Sequence, residues 1–202
     1  MSKKLFTIGH STHTVKYFID LLKRHSITAV CDVRSQPYSQ YNPQFNRENL
    51  RKDLNNNNIE YVFLGKELGA RSDNPNCYID GKVQYNYLVD EPLFQQGINR
   101  LTQGMKQYSI ALMCAEKDPI TCHRMILVCR EMRSITDQIN HILADGEIES
   151  NPEAENRLMN MLRIVPDMFK NKSECIEEAY DKQGQRIAYV RKINKRPQVK
   201  YP

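Results

Sequence analysis

Between Ala111 and Arg124 the chain reads Ala-Leu-Met-Cys-Ala-Glu-Lys-Asp-Pro-Ile-Thr-Cys-His-Arg, an apolar run that ends in a thiol, a carboxylate, an ammonium and a second carboxylate. Folding alone does not call for so many reactive groups in one short stretch. Glu116 is the leading candidate for acid–base work, because its neighbours are too cationic for a plain loop. Cys114 stands at the end of an apolar run, where a thiol serves either as a nucleophile or, the more ordinary role, as an inert buried wall. Arg124 and Arg34 have the fork geometry that grips phosphate or carboxylate, and Lys117 adds a point charge. The alternative for both arginines is a structural ion pair with Glu116 or Asp32. His10 and His123 are candidate proton carriers or turn-holding side chains. Asp32 is the second carboxylate candidate, since a charge at the end of an apolar strand must find a partner.

These groups depend on elements that bring them together. Leu5–Ile8, 27–33, 59–64 and 109–113 read as buried strands, and 135–143 as a fifth. Val15, Phe18, Ile19 and Leu22 recur at helical spacing. Helices are also expected over 46–57, 85–106, after Asp118-Pro119, and around 152–162 and 173–183. Residues 72–84 are rich in turn formers. Alternating strands and helices predict a single three-layer α/β domain over 1–185, a mostly parallel sheet with helices on both faces. In such folds the segments after the strands share the carboxyl edge, where ligands bind. Gly9-His10-Ser11, Asp32 to Ser35, Gly65 to Arg71 and Cys114 to Asp118 are therefore expected to converge. Asp118 should cap a helix opened by Pro119, whose free amides would form an anion site.

Taken together, Thr7-Ile8-Gly9-His10-Ser11, Cys31 to Ser39, the Leu64-Gly65 and Leu68-Gly69 pairs, and Cys114 to Pro119 through Cys122-His123-Arg124 resemble the domain of unknown function 488 family. The resemblance spans roughly Leu5 to Leu143. Ala70 stands where that family usually has a second glycine. The resemblance implies a site and no particular reaction.

On these grounds Glu116, His10, Asp32 and Cys114 are the catalytic candidates, and Ser11, Arg34, Ser35, Tyr38, Lys117, His123 and Arg124 the candidates for holding substrate. Tyr38, with Tyr41 and Phe45, could stack on a base or sugar or form a lid that packs on itself. The expected function is a hydrolase or transferase acting on a small anionic, nucleotide-like substrate, with a glycosidic bond between two carboxylates as one candidate for cleavage. A ten-residue gap from Cys114 to Arg124, with acids inside the loop, excludes a cysteine-phosphatase loop. Cys114, Cys122, His123 and His10 are the residue types of a zinc site, but no metal is expected, because Cys114 and Cys122 lack CxxC or HxxxH spacing. Cys122 and Cys129 read as core. No cofactor is expected either, as no phosphate-binding glycine loop is present.

The net charge of +5 sits in residues 186–202, which hold Arg186, Arg191, Lys192, Lys195, Arg196 and Lys200 and no acid. That basic tail could touch nucleic acid, and the rival function is a nucleic-acid-binding module that does no chemistry. A scaffold for a protein partner is a third possibility, hinted at only by 72–84. Hydrophobic content of 40% is enough for a core, and no apolar run approaches a bilayer span. Six cysteines without CxxC pairs and no signal-peptide core suggest a reduced, cytoplasmic protein outside any membrane. The sequence leaves the oligomeric state open.

Overall fold

The computed structural model describes residues 4–191. Strand β1 (Leu5–Gly9) leads through Thr14, whose hydroxyl accepts from the Tyr17 amide, into α1 (Val15–Arg24). Strand β2 (Ala29–Asp32), helix α2 (Arg47–Asn55) and strand β3 (Glu60–Phe63) follow. A two-residue hairpin, β4 (Tyr78–Ile79) and β5 (Lys82–Val83), precedes α3 (Tyr85–Val89) and α4 (Pro92–Gly104). The single helix expected over 85–106 is thus two, broken just before Pro92, whose ring cannot continue a helix through the preceding turn. Strand β6 (Ile110–Cys114) opens the reactive stretch, and α5 (Arg130–Met132) closes it. Strands β7 (Ile139–Ile142) and β8 (Ile148–Ser150), then α6 (Asn151–Leu162) and α7 (Lys172–Ile187), complete the fold. Capping boxes, Ser150 with Glu153 and Asn171 with Glu174, fix the starts of α6 and α7.

The strands form one six-stranded sheet in the order β3-β2-β6-β1-β7-β8. All pairs are parallel except β7 with β8. Alternation along the strands divides the core. Ile8, Val30, Ala111, Met113 and Ile142 meet Phe18 and Leu22 of α1 and Leu50 and Leu54 of α2 on one face. Cys31, Ile110, Leu112 and Ile139 meet Phe94 and Leu101 of α4, Met125 and Met132, Leu158 of α6 and Tyr180 of α7 on the other. This is the three-layer α/β domain that the alternating elements predict.

The boundary expected at residue 185 falls inside α7. Beyond the helix, Tyr189 accepts from the Val83 amide and Arg191 donates to Gly81, so the segment reaching Arg191 belongs to the domain and braces the β4–β5 hairpin. Arg191 also lies 4.3 Å above the Tyr78 ring, so one cation expected in a free tail is part of the fold. Lys192, Lys195, Arg196 and Lys200 lie outside the described residues. No helix among the described residues is long and apolar enough to cross a membrane.

Candidate functional site

Parallel strands bring the four post-strand segments to one edge, and two glycines let their backbones close on each other. A Cβ on Gly9 would stand 1.9 Å from the Glu116 carbonyl, and one on Gly65 would stand 2.0 Å from the Arg34 carbonyl. Only glycine permits either approach. The His10 and Ser11 amides donate to the carbonyls of Cys114 and Ala115, which carries the β1–β6 ladder past the strand ends.

The stretch after β6 departs from expectation. Asp118 does cap, its carboxylate accepting from the Ile120 amide, but only one 3-10 turn (Pro119–Thr121) follows. Cys122 is then extended, and the chain re-enters helix as a π-helical stretch, Arg124–Cys129. The anion site expected at an α-helix start is therefore not formed. Asp118 already occupies a free amide and is itself clamped by Arg157. The extended residue has a further effect: it turns Cys122 and His123 back towards Cys114.

The result is a compact cluster. Ligand atoms of Cys114, Glu116, Cys122 and His123 all lie within 4.8 Å of one another. Cys114 Sγ is 3.6 Å and Cys122 Sγ 4.0 Å from His123 Nδ1, and Cys122 Sγ is 3.1 Å from Glu116 Oε2. His123 Nε2 donates to the Val33 carbonyl at 3.0 Å, which leaves the Nδ1 lone pair facing the sulfurs. The Arg124 amide points at Cys122 Sγ from 3.4 Å. The cysteines, His123 and Arg124 are buried, whereas Glu116 is exposed.

Charge is shared unequally in this cluster. Burial opposes ionisation of Cys122, but the Cys114 thiol, the Arg124 guanidinium and His123 outweigh it and hold the Cys122 pKa well down. Burial, then the neighbouring Cys122, push the Cys114 thiol up. Burial lowers the His123 pKa, while Cys122, Glu116 and the Val33 carbonyl together raise it above the ordinary histidine value. Cys122, read from its helical spacing as core, is thus the more ionisable thiol. Cys114 is the less ionisable of the two.

Arg124 is enclosed and grips no ligand. Its guanidinium donates to the carbonyls of Glu116 at 2.6 Å and Lys117 at 3.1 Å and to Thr7 Oγ1 at 3.3 Å. It is a clamp on the loop, and Lys117 takes part through its backbone. Asp32 is equally enclosed. One of its oxygens accepts from the Arg34 amide and Nε, the other from Arg34 Nη2 and the Tyr61 hydroxyl. That arrangement removes Asp32 as a proton carrier and leaves the two-carboxylate mechanism without its second carboxylate. His10 lies against Phe45, rings 4.3 Å apart, with Nδ1 on the Ser11 carbonyl and Nε2 accepting from Arg34 Nη1. Burial and then the Arg34 charge lower its pKa to about 4, so at neutral pH it is an uncharged prop for Arg34. Ser11 contributes a left-handed backbone turn (φ 48°). Tyr38 is exposed and bonded to Glu48, while Phe45 is buried in the core beneath α1 and α2.

A cavity of about 260 Å³ opens in front of the cluster, lined by Arg34, Ser35, Cys114, Glu116 and His123 and walled by Tyr85 and Tyr189. Of the candidates His10, Arg34, Glu116 and Arg124, Arg34 and Glu116 line it, while His10 and Arg124 do not. Arg71 joins them on the lining. It stacks 4.3 Å over Tyr189, donates to Gln36 Oε1 and pairs with no carboxylate among the described residues. Its amide is held by Ser35 Oγ. Its place at the end of the segment after β3 was the one signal the sequence offered. A second hollow of about 330 Å³ shares Ser35, Gln36 and Arg71 with the first.

The fold and this edge define an α/β protein with a thiol-, carboxylate- and arginine-lined cavity where its parallel strands end. The chain belongs to the family described as domain of unknown function DUF488, which matches residues 14–130, more than half of its length. No curated protein and no solved structure matches it.

Proposed function

We propose that the protein is an enzyme, a hydrolase or transferase, that takes a small anionic, nucleotide-like substrate into the cavity at the carboxyl edge. The observation that carries this reading is that Arg34, Arg71 and Glu116 line one cavity. Arg34 is buried and already paired with Asp32, so it orients more than it attracts. Arg71 has no carboxylate partner among the described residues and supplies the charge. Glu116 is the only sequence-predicted proton carrier that both lines the cavity and remains exposed. Its role is to move a proton to or from the reacting group.

Size narrows the substrate. Ligand cavities usually run from about 300 to 1,000 Å³, so a 260 Å³ hollow takes a sugar phosphate or the polar half of a nucleotide. The adjoining hollow beyond Arg71 has room for the remainder. The rival nucleic-acid module draws on a basic tail of which the last four cations lie outside the described residues, and Arg191 is committed to the fold. No observation favours it over the cavity.

The test is turnover. Wild-type protein incubated with a panel of nucleotides, sugar phosphates and phosphate esters should consume at least one, followed by mass spectrometry. Glu116→Gln should abolish that consumption while binding the same compound. Full activity in the Gln variant would retire the assignment of Glu116.

A further inference from the structure

We infer that Cys114 Sγ, Cys122 Sγ and His123 Nδ1 form a binding site for a divalent, thiolate-preferring metal ion of the zinc class, its fourth corner opening on the cavity beside Glu116. Donor chemistry and geometry agree on this. Two cysteines and a histidine are a zinc-type donor set, and a site with three protein ligands and one open corner is the arrangement of zinc centres that do chemistry. A tetrahedron built on Zn–S of about 2.3 Å and Zn–N of about 2.05 Å has S···N edges of about 3.6 Å. The observed edges are 3.6 and 4.0 Å.

Two further observations point to a ligand. His123 donates its other ring nitrogen to the Val33 carbonyl at 3.0 Å, the outer hydrogen bond that metal-bound histidines make and that aims the free lone pair at the ion. Glu116 Oε2 accepts from the Cys122 thiol at 3.1 Å, which places the carboxylate beside the sulfur that would coordinate the ion. The Arg124 amide at 3.4 Å from Cys122 Sγ is the kind of N–H donor that supports a coordinating sulfur. Spacing concealed the set, because Cys122 and His123 are adjacent and the eight-residue gap from Cys114 fits no ligand motif. The extended backbone at Cys122 brings the three groups together.

A metal here would also change the balance of the cavity. Two thiolates are neutralised by a divalent ion, so Arg71 faces an anionic substrate without competing sulfur charge. An ion held by these three residues would supply Lewis-acid chemistry at the open corner, with Glu116 placed beside it to take a proton.

The full chain, purified without chelator, should carry one zinc ion per molecule by elemental analysis. Replacing it with Co(II) should produce the near-ultraviolet thiolate-to-cobalt charge-transfer band. Cys122→Ser and His123→Asn should lose the metal, and Glu116→Gln should keep it. The cobalt spectrum of the wild-type chain decides the matter even where a cysteine variant does not fold. A wild-type chain that binds neither zinc nor cobalt when both are offered, or a folded Cys122→Ser variant with undiminished metal, overturns the inference. The inference shares the cavity with the proposed reaction but is read without substrate. Metal without turnover would sink the enzyme and keep the site, and turnover in a metal-free chain would do the opposite.

Discussion

Arg124→Lys separates a structural clamp from an anion grip. The guanidinium spans three acceptors in three directions, the carbonyls of Glu116 and Lys117 and the hydroxyl of Thr7, from a fully buried position. A lysine keeps the charge but reaches one of these acceptors at a time. Two charge-assisted hydrogen bonds are lost, at roughly 1.5–3 kcal/mol each. The expected destabilisation is about 3–6 kcal/mol. For a chain of this length that lowers the melting temperature by about 10 °C or more. Denaturant titration of wild type and variant reads the difference directly, because a change in midpoint at constant slope is a change in stability. A loss below about 1 kcal/mol would refute the clamp. So would a variant of unchanged stability that had lost only its affinity for anions.

Other consequences are open to measurement. His141 is fully buried between Thr7 Oγ1 and Asn151 Oδ1, and burial, then the Arg124 charge, lower its pKa to about 3 from the ordinary 6.5. The unfolded chain therefore takes up a proton below pH 6.5 that the folded chain refuses until about pH 3. Stability should be full above pH 6.5 and fall by about 2 kcal/mol by pH 5; His141→Gln should flatten that slope, and an unchanged slope would count against the assignment. Asp32→Asn leaves Arg34 buried without its carboxylate and should cost about 3–5 kcal/mol, measurable as a depressed melting temperature. A near-neutral effect would mean that Arg34 does not depend on Asp32.

Much of the fold was legible because its signals are local and periodic. The β-branched runs and the apolar stripe of α1 place the sheet and one helical layer, and from them follows the shared carboxyl edge. The site was legible as a place and less so as an arrangement. Arg124 and Asp32 look like reactive groups in sequence, yet both are spent on holding loops, because a charge at a strand end must satisfy its hydrogen bonds before it can serve a ligand. Cys122 looks like core because its spacing matches a helical stripe; the extended residue between the 3-10 turn and the π-helical stretch, which no residue pattern marks, turns it towards His123. Arg71 lay within the segment after β3 but gave no sign that Gln36 and Tyr189, far apart in the chain, would hold it over the cavity.

The central claim is that this cavity binds a small anion through Arg71, and a thermal-shift screen of nucleotides and sugar phosphates on the full chain tests it most directly. At a ligand concentration of about 100 times Kd, binding adds about 2.7 kcal/mol, a rise of about 5–10 °C for a chain of this size. At least one compound should produce that rise in the wild type, and Arg71→Ala should remove it while melting normally without ligand. A screen in which no anion moves the melting temperature, or in which the rise survives in Arg71→Ala, would contradict the account.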